Sequence, residues 1–319
     1  MSKEILGIHH ITAIAGDPQA NIDFYSGTLG LRLVKLTVNF DDPGTYHLYY
    51  GDGVGTPGTI ITFFPWPNAP RGRHGTGQVT ETAFAIRADA LLFWIDRLTE
   101  QRIPFAGPLQ RFGEEVISFA DPGGLKVELI ASAGILPERA YKGGVIPLRY
   151  AIHGFHSATL SEEGYRKTAA LLTDTLGFEM TNQEANRFRY TAGSGKPGAI
   201  VDVLCAPEES RGSVLVGTVH HIAWRTADDA QQREWLNDLI GLGYNVSPVM
   251  DRKYFHSIYF REPGGILFEI ATDSPGFAVD EPPAQLGASL VLPAWLEPAR
   301  ARLETILPPL KIPTPAQSA

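Results

Sequence analysis

The sequence predicts an α+β fold in which a βαβββ unit occurs four times, forming two tandem domains with curled mixed sheets. Two histidine doublets indicate an internal repeat, because GIHHI at 7–11 and VHHIA at 219–223 each open a β-like run. The phrases DPGGLKVELIA and EPGGILFEIAT indicate it more strongly, since they match closely in wording and in position. A chain of 319 residues with 44 % hydrophobic residues is long enough for two domains with substantial cores.

Charge and cysteine content exclude several classes of protein. The net charge of −8 does not favour a nucleic-acid-binding surface. The single cysteine, Cys205, excludes an intrachain disulfide and a thiolate metal cluster. No apolar run is long enough for a signal peptide or a membrane span. We therefore expect a soluble cytoplasmic protein without nucleic-acid or membrane partners.

Each unit opens with a short alternating apolar run, which predicts a β-strand. The units begin at Gly7, Val79, Ile152 and Val219. Polar stretches then favour a helix start, as in GDPQA, RADA, LSEEG and TADDA, and an amphipathic helix follows. The helix ends at glycine, as in LGL, LGF and LGY, because a left-handed C-cap conformation costs glycine little. Two or three further strands complete each unit.

Interruptions of this pattern predict the domain boundaries. A stretch without a clear periodic element places a linker at 136–150. It separates a first domain at 1–135 from a second domain at 151–273, and each domain contains two units. The Pro-rich tail at 274–319 is expected to form a helix over Trp295–Leu307 and to fray at its end.

Two positions carry metal-ligating residue types when the four units are compared. Side chains alternate across a strand, so equivalent positions face the same side of each sheet. The position in the opening strand holds His10, Glu81, His156 and His221, in unit order. The position in the closing strand holds Thr62, Glu128, Asp202 and Glu269. If paired units curl their sheets around a shared cavity, these side chains point into it.

Two imidazoles and one carboxylate form the facial ligand set that suits non-haem Fe(II), with positions left open for substrate and oxygen. The fourth unit supplies His221 and Glu269. The second histidine comes from another unit. His10 shares the HHI context of His221, which favours it over its rival His156 in FHS. A single strand histidine is more often structural, so the prediction depends on the whole set.

Four other polar residues are ambiguous from the sequence alone. Glu81, Glu128 and Asp202 are interpreted as solvated strand ends, and a second, vestigial pocket is the alternative. His256 stands in the run YFHSIYF, three residues before Tyr259 and on the opposite alternation. It is either an acid–base group near the cavity or a surface histidine.

The repeated units, with histidine and glutamate at these places, resemble the vicinal oxygen chelate superfamily. That superfamily includes glyoxalase I, bleomycin-resistance proteins and extradiol dioxygenases. Within it, the chain resembles the ring-cleaving dioxygenases that act on hydroquinones. The resemblance runs from GIHHIT to DRKYFHSIYFREPGGILFEIATDSPGF, and the second phrase is its most specific part. It implies two glyoxalase-like domains.

The resemblance also implies the site residues and the chemistry. It implies metal ligands at His10, His221 and Glu269. It implies catalytic roles for His9, Thr12, His220, Arg252 and Tyr259. The implied reaction is an extradiol-type, O₂-dependent cleavage of a hydroquinone-type or catechol-type aromatic ring. The implied cofactor is Fe(II), with Mn(II) as the alternative, and we expect a homo-oligomer.

Two other classes of function share this fold. The first is a glyoxalase-like lyase or isomerase that uses Zn or Ni and takes further carboxylates, such as Glu128 or Glu81, into its ligand set. The second is a metal-free protein that binds a small molecule. The intact set of His10, His221 and Glu269 argues against the second, since a pure binder needs no ligand set.

Overall fold

The computed structural model describes residues 3–133, 135 and 139–313, and it confirms the four βαβββ units. The first unit consists of β1 (Ile8–Ala15), α1 (Pro18–Ile22), β2 (Arg32–Val38), β3 (Tyr46–Gly51) and β4 (Ile60–Pro65). The second consists of β5 (Gln78–Arg87), α2 (Leu91–Glu100), β6 (Phe105–Arg111), β7 (Glu114–Ala120) and β8 (Lys126–Ser132). The third consists of β9 (Phe155–Glu162), α3 (Arg166–Ala170), β10 (Glu179–Glu184), β11 (Arg187–Thr191) and β12 (Ile200–Cys205). The fourth consists of β13 (Val219–Thr226), α4 (Asp229–Gly241), β14 (Met250–Asp251), β15 (Phe255–Arg261) and β16 (Leu267–Pro275).

Capping residues explain where the helices begin and end. The side chain of Asp17 accepts a hydrogen bond from the backbone of Ala20 at the start of α1. The side chain of Asp228 likewise accepts hydrogen bonds from backbone N–H groups at the start of α4. The glycine after the first helix, Gly30, has a φ of 71°, and the one after the third, Gly177, has a φ of 76°. This left-handed backbone confirms the glycine signal in the sequence.

The strands form two curled, mixed, eight-stranded sheets. The first sheet, in the order β14-β15-β16-β13-β1-β4-β3-β2, joins the fourth unit to the first. The second sheet, in the order β10-β11-β12-β9-β5-β8-β7-β6, joins the third unit to the second. In each sheet the two opening strands pair antiparallel at the centre, and each opening strand runs parallel to the closing strand of its own unit.

Both sheets therefore join strands from either side of the expected linker. The boundaries 1–135, 136–150, 151–273 and 274–319 stay a prediction. Residues 136–138 of the expected linker and 314–319 of the expected frayed end lie outside the described residues.

Aromatic side chains pack between the two sheets. The ring of Phe24, just after α1, lies 6.2 Å from that of Phe119 on β7. The ring of Phe178 in the third unit lies 5.3 Å from that of Trp224 on β13. All four are buried, and large buried aromatic side chains contribute strongly to core stability. The core thus covers one face of each sheet and leaves the other face for polar side chains.

A buried lysine anchors the tail to the first sheet. Lys35 on the edge strand β2 is fully buried, and its ammonium group contacts the carboxylates of Asp280 and Glu281. The backbone N–H of Val291 also donates to the carbonyl oxygen of Leu36, at 2.9 Å. The tail thereby covers a strand edge that would otherwise be open for pairing with another chain.

The tail continues into a short helix that packs on the body of the protein. This helix, α5 (Arg300–Ile306), lies inside the stretch where the sequence predicts one. Its residue Leu303 and the following Leu307 are buried in the main core. None of the helices in the described ranges is long and apolar enough to cross a membrane.

A buried pair of carboxyl groups joins the two sheets at Glu162, the end of β9, and Glu262, just after β15. Glu262 accepts hydrogen bonds from the hydroxyl of Thr168 and from the backbone of Gly264 and Ile266. Burial, together with the negative charge of Glu262, raises the pKa of Glu162 to about 8. Glu162 therefore holds a proton at neutral pH.

Replacing Lys35 by alanine is expected to lower the free energy of unfolding by about 3–5 kcal/mol. The change removes the cation that pairs with the buried carboxylate of Glu281. Chemical denaturation measures this loss. Arg87→Ala is the control, since it breaks only the exposed pair between Arg87 and Asp89 and should change stability little. Equal losses in the two variants would contradict the anchoring role of Lys35.

Glu162→Gln is expected to flatten the dependence of stability on pH between about pH 5 and pH 8. The folded state raises the pKa of Glu162, so it binds more protons there than the unfolded chain does. The contribution of Glu162 to the free energy of unfolding is therefore fully present below the pKa that Glu162 has in the unfolded chain. It is lost as pH rises through this window, by at most about 1.4 kcal/mol per pH unit. Denaturant titrations at several pH values measure the slope. An unchanged slope would show that Glu162 is ionised in the folded protein.

Candidate metal centre

Three neighbouring strands of the first sheet bring His10, His221 and Glu269 together, and we call these three residues the ligand triad. In the register of the sheet, Ala223 of β13 lies beside His10 of β1 on one side and beside Glu269 of β16 on the other. His221 precedes Ala223 by two residues, so it shares the same strand face. The short side chain of Ala223 leaves the space between the three ligands open.

The triad atoms converge in a buried position. The Nε2 atom of His10 lies 3.3 Å from Oε2 of Glu269, and that of His221 lies 2.9 Å from the same oxygen. The hydroxyl of Ser257 donates to the other oxygen, Oε1. Among the described residues, Oε2 has no hydrogen-bond partner although Glu269 is completely buried. A buried carboxylate oxygen is costly unless a positive charge meets it, so these atoms fit a divalent cation.

His9 precedes the ligand His10 and determines which ring nitrogen of His10 carries the proton. Nε2 of His9 lies 3.1 Å from the carbonyl oxygen of Thr272, which can only accept, so this nitrogen is protonated and donates. Burial, with the nearby His10, lowers the pKa of His9 well below its usual value and keeps the ring neutral. Nδ1 of His9 then accepts from Nδ1 of His10, 2.9 Å away. The unprotonated Nε2 of His10 therefore faces Glu269, ready to bind a metal.

His220 and His221 repeat this arrangement, with their Nδ1 atoms 2.8 Å apart. Burial, reinforced by His221, lowers the pKa of His220 to about 3. Burial likewise lowers the pKa of His221, although Glu269 opposes the shift. Burial alone would raise the pKa of Glu269, but before a cation binds, positive charge on the neighbouring imidazoles, chiefly His10, outweighs burial and holds that pKa well below the usual range; a bound cation would take the place of that charge. Neutral imidazoles and an ionised carboxylate are the states that bind a metal.

The triad faces a cavity of about 320 Å³. Its walls include the apolar side chains of Phe40, Phe64, Trp66, Phe255 and Leu267. Its polar lining includes Thr12, His47, Tyr49, His220, Arg252 and Tyr259. Arg252 donates from Nε to the phenol oxygen of Tyr259 at 3.1 Å and from a terminal nitrogen to Asp41 at 3.0 Å. Burial and the charge of Glu269 raise the pKa of Tyr259, so the phenol stays protonated.

The structure brings five of the six predicted catalytic residues to the triad or its cavity, but not His256. Nδ1 of His256 lies 2.6 Å from a carboxylate oxygen of Asp229, at the start of α4. Its side chain is 36 % exposed. Strand alternation explains this position, because Ser257 and Tyr259 lie on the face of β15 that carries the triad and His256 lies on the opposite face. The catalytic roles of all six residues stay predictions.

Sequence comparison of the units missed His47 and Tyr49 on β3. Tyr49 pairs with Thr62 in the same register in which Tyr259 pairs with Glu269. Tyr49 is therefore the repeat equivalent of Tyr259. A comparison that also covered the third strand of each unit would have detected this equivalence.

The register of the second sheet corrects the position assigned to His156. Ser157 pairs with β12 as His10 pairs with β4, so Ser157 is the true equivalent of His10. His156 corresponds to His9, and its Nδ1 lies 3.0 Å from the hydroxyl of Ser157. The sequence interpretation was wrong by one residue, because a lone histidine does not show which member of the doublet it represents.

Arginines occupy the part of the second sheet that corresponds to the triad. Ion pairs join Arg111 to Glu128, Arg187 to Glu81 and Arg189 to Asp202, with N–O distances of 2.6, 3.0 and 2.8 Å. The expectation of solvated strand ends was wrong for Glu128 and Asp202, which are 2 % and 0 % exposed. A buried carboxylate requires a partner, and here guanidinium groups supply the positive charge.

Comparison with known proteins identifies one family in both halves of the chain. The sequence profile of the Glyoxalase/Bleomycin resistance protein/Dioxygenase superfamily matches residues 7–129 and 154–270. These two segments contain all three triad residues.

Individual relatives match almost the whole chain. A Bacillus subtilis (strain 168) protein named "Putative ring-cleaving dioxygenase MhqO" is 49 % identical over 312 residues, which cover 98 % of this chain and 99 % of the relative. A Sphingobium indicum protein named "Chlorohydroquinone/hydroquinone 1,2-dioxygenase" is 32 % identical over 309 residues, covering 95 % and 96 %. A crystal structure described as a "putative dioxygenase from Bacillus subtilis subsp. subtilis str. 168" has a TM-score of 0.94 and 48 % identity, and the match covers 98 % of this chain and 99 % of that one.

His10→Ala, His221→Ala and Glu269→Gln are each expected to lose tight metal binding, whereas the unmodified protein should hold about one divalent ion per chain. Metal analysis after anaerobic loading with Fe(II) and desalting measures the stoichiometry. His156→Gln is the matched control, since His156 is an equally buried strand histidine of the other sheet. Retention of metal by His10→Ala together with its loss from His156→Gln would contradict the triad.

Proposed function

The chain belongs to the Glyoxalase/Bleomycin resistance protein/Dioxygenase superfamily, and on this premise we propose that it is an Fe(II)-dependent ring-cleaving dioxygenase. The proposed substrates are a hydroquinone-type aromatic compound and O₂. The names of the relatives from Bacillus subtilis and Sphingobium indicum support the reaction class, and the second name supports the hydroquinone.

The observation that carries the proposal is the unpartnered, buried Oε2 of Glu269 between the Nε2 atoms of His10 and His221. Two histidines and one carboxylate on one side of an ion suit non-haem Fe(II), and Mn(II) accepts the same ligands. When bound, Fe(II) in such a site supplies redox chemistry with O₂ and a template that orients the substrate. Ser257, His9 and His220 hold the ligands in the required protonation and orientation.

The cavity fits a single aromatic ring that carries hydroxyl groups. Its volume of about 320 Å³ and its aromatic walls suit a ring, and its polar groups lie at restricted places. Arg252 keeps its charge at any working pH and binds a substrate oxyanion. Since Arg252 donates to the oxygen of Tyr259, the phenol keeps its own proton for donation, and the substrate is the proposed acceptor.

The low pKa of His220 defines its part in the reaction. When a cation occupies Nε2 of His221, the proton of His221 is on Nδ1 and is donated to Nδ1 of the neutral His220, so His220 carries its own proton on Nε2. We assign it to hydrogen-bond donation into the cavity, since a group with so low a pKa is a poor proton acceptor near neutral pH.

The contacts of the acidic residues argue against the two other functions considered. A lyase or isomerase with a larger carboxylate set would require Glu81 or Glu128, and both are bound by arginines in the second sheet. A metal-free binder would have no use for two imidazoles that converge on one buried carboxylate oxygen of Glu269. The cytoplasmic location and the homo-oligomeric state stay predictions from the sequence.

Oxygen uptake tests the proposal. Anaerobically purified protein loaded with Fe(II) is expected to consume O₂ on addition of hydroquinone or methylhydroquinone, and less with catechol. His10→Ala should abolish the uptake, because it removes a ligand, whereas His156→Gln should preserve it. One bound metal per chain with no uptake for any of the three rings would reject the dioxygenase and favour an oxygen-independent reaction.

A further inference from the structure

We propose that His47 and Tyr49 are positioning residues that fix the hydroxyl of Thr12 as a hydrogen-bond donor into the metal cavity. The contribution of this donor to catalysis rests on the proposed function. The proton order of the network follows from the structure independently of it.

Three buried side chains and the half-buried His47 form a continuous hydrogen-bonded chain. Oγ1 of Thr12 lies 3.1 Å from Oγ1 of Thr62, which lies 2.6 Å from Nε2 of His47. Nδ1 of His47 lies 2.8 Å from the phenol oxygen of Tyr49. Thr12 is two residues from His10 on the same strand face and lines the cavity. The chain thus runs along the wall of the cavity from Thr12 to Tyr49.

Tyr49, at one end of this hydrogen-bonded chain, determines the direction in which the hydrogen bonds are donated. Tyr49 is 2 % exposed and packs against the rings of Tyr254 and Phe277. Within the described part of the protein, its hydroxyl hydrogen bonds only to His47. A buried hydroxyl with one partner donates to it when that partner can accept, since an unused buried donor is costly. Tyr49 therefore donates to Nδ1 of His47.

The remaining protons follow from this first step. Burial, with the nearby triad histidines and Arg252, lowers the pKa of His47 well below its usual value, so the ring is neutral. A neutral ring that accepts at Nδ1 carries its proton on Nε2 and donates to Thr62. Thr62 in turn donates to Thr12. Thr12 has no other hydrogen-bond partner among the described residues, so its own proton points into the cavity.

Thr62 shows why the first unit can provide this chain. It occupies the register position at which the fourth unit has Glu269. A carboxylate here would add a fourth ligand to the triad, whereas the hydroxyl of Thr62 relays a hydrogen bond. A donor held beside the triad stabilises negative charge that develops on an oxygen atom at that place, without reorganisation during the reaction.

The tautomer of His47 tests the proton order without any assay of activity. In ¹⁵N-histidine-labelled protein, metal-free and again with diamagnetic Zn(II), the His47 signals are assigned by their loss in His47→Gln. We expect a neutral ring with the proton on Nε2 and an unprotonated Nδ1. In Tyr49→Phe this preference should weaken. A proton on Nδ1 in the unmodified protein would overturn the proposed order.

Steady-state kinetics with hydroquinone test the consequence. Tyr49→Phe is expected to lower kcat about tenfold with little change in KM, because the donor acts on charge formed during the reaction. Tyr50→Phe is the matched control, since it removes an equally buried hydroxyl on the opposite face of β3, bonded to Asn21. His47→Gln, whose amide can still donate to Thr62, should retain more activity than His47→Leu.

Two outcomes separate failure of this inference from failure of the proposed function. Equal losses in Tyr49→Phe and Tyr50→Phe would show a merely structural effect and would overturn the positioning role. Absence of O₂ uptake in the unmodified protein would reject the proposed function, while the NMR signals of His47 would still decide the proton order.

Discussion

The antiparallel pairing of β1 with β13 is the constraint on which the rest of the site depends. It sets the first and last units side by side and places His10 next to the strand that carries His221. Because β16 lies on the other side of β13, Glu269 completes the set from the same direction. The cavity, the orienting histidines and the network behind Thr12 all take their positions from this register, and a one-residue shift would turn each ligand to the other face.

The two sheets show how one backbone arrangement supports opposite chemistry. In the first sheet, buried imidazoles and one carboxylate leave a charge uncompensated, which creates affinity for a metal ion. In the second sheet, the equivalent space contains carboxylates neutralised by arginines, so the structure is satisfied without a ligand. Function in this fold therefore resides in a few side chains, whereas the repeated unit supplies only their positions.

Local signals predicted the units well, and long-range contacts account for what the sequence missed. Alternation, capping residues and terminal glycines revealed all four units, and the HHI context singled out His10, which the structure brings together with His221 and Glu269. His156 was misplaced by one position because register depends on strand pairing, which a short motif does not show. His47 and Tyr49 looked like ordinary strand residues, and Lys35 gave no sign of partners some 245 residues away in the tail. Such contacts arise only from the assembled sheets.

The order of the units along the chain has a consequence for biosynthesis. The second sheet is formed by contiguous units, so it can assemble while the ribosome is still translating the rest of the chain. β1 has to wait for its partner β13, and the carboxylate of Glu269 emerges later still. A nascent chain therefore carries no complete ligand triad, and the metal site forms only in a protein whose synthesis is nearly finished.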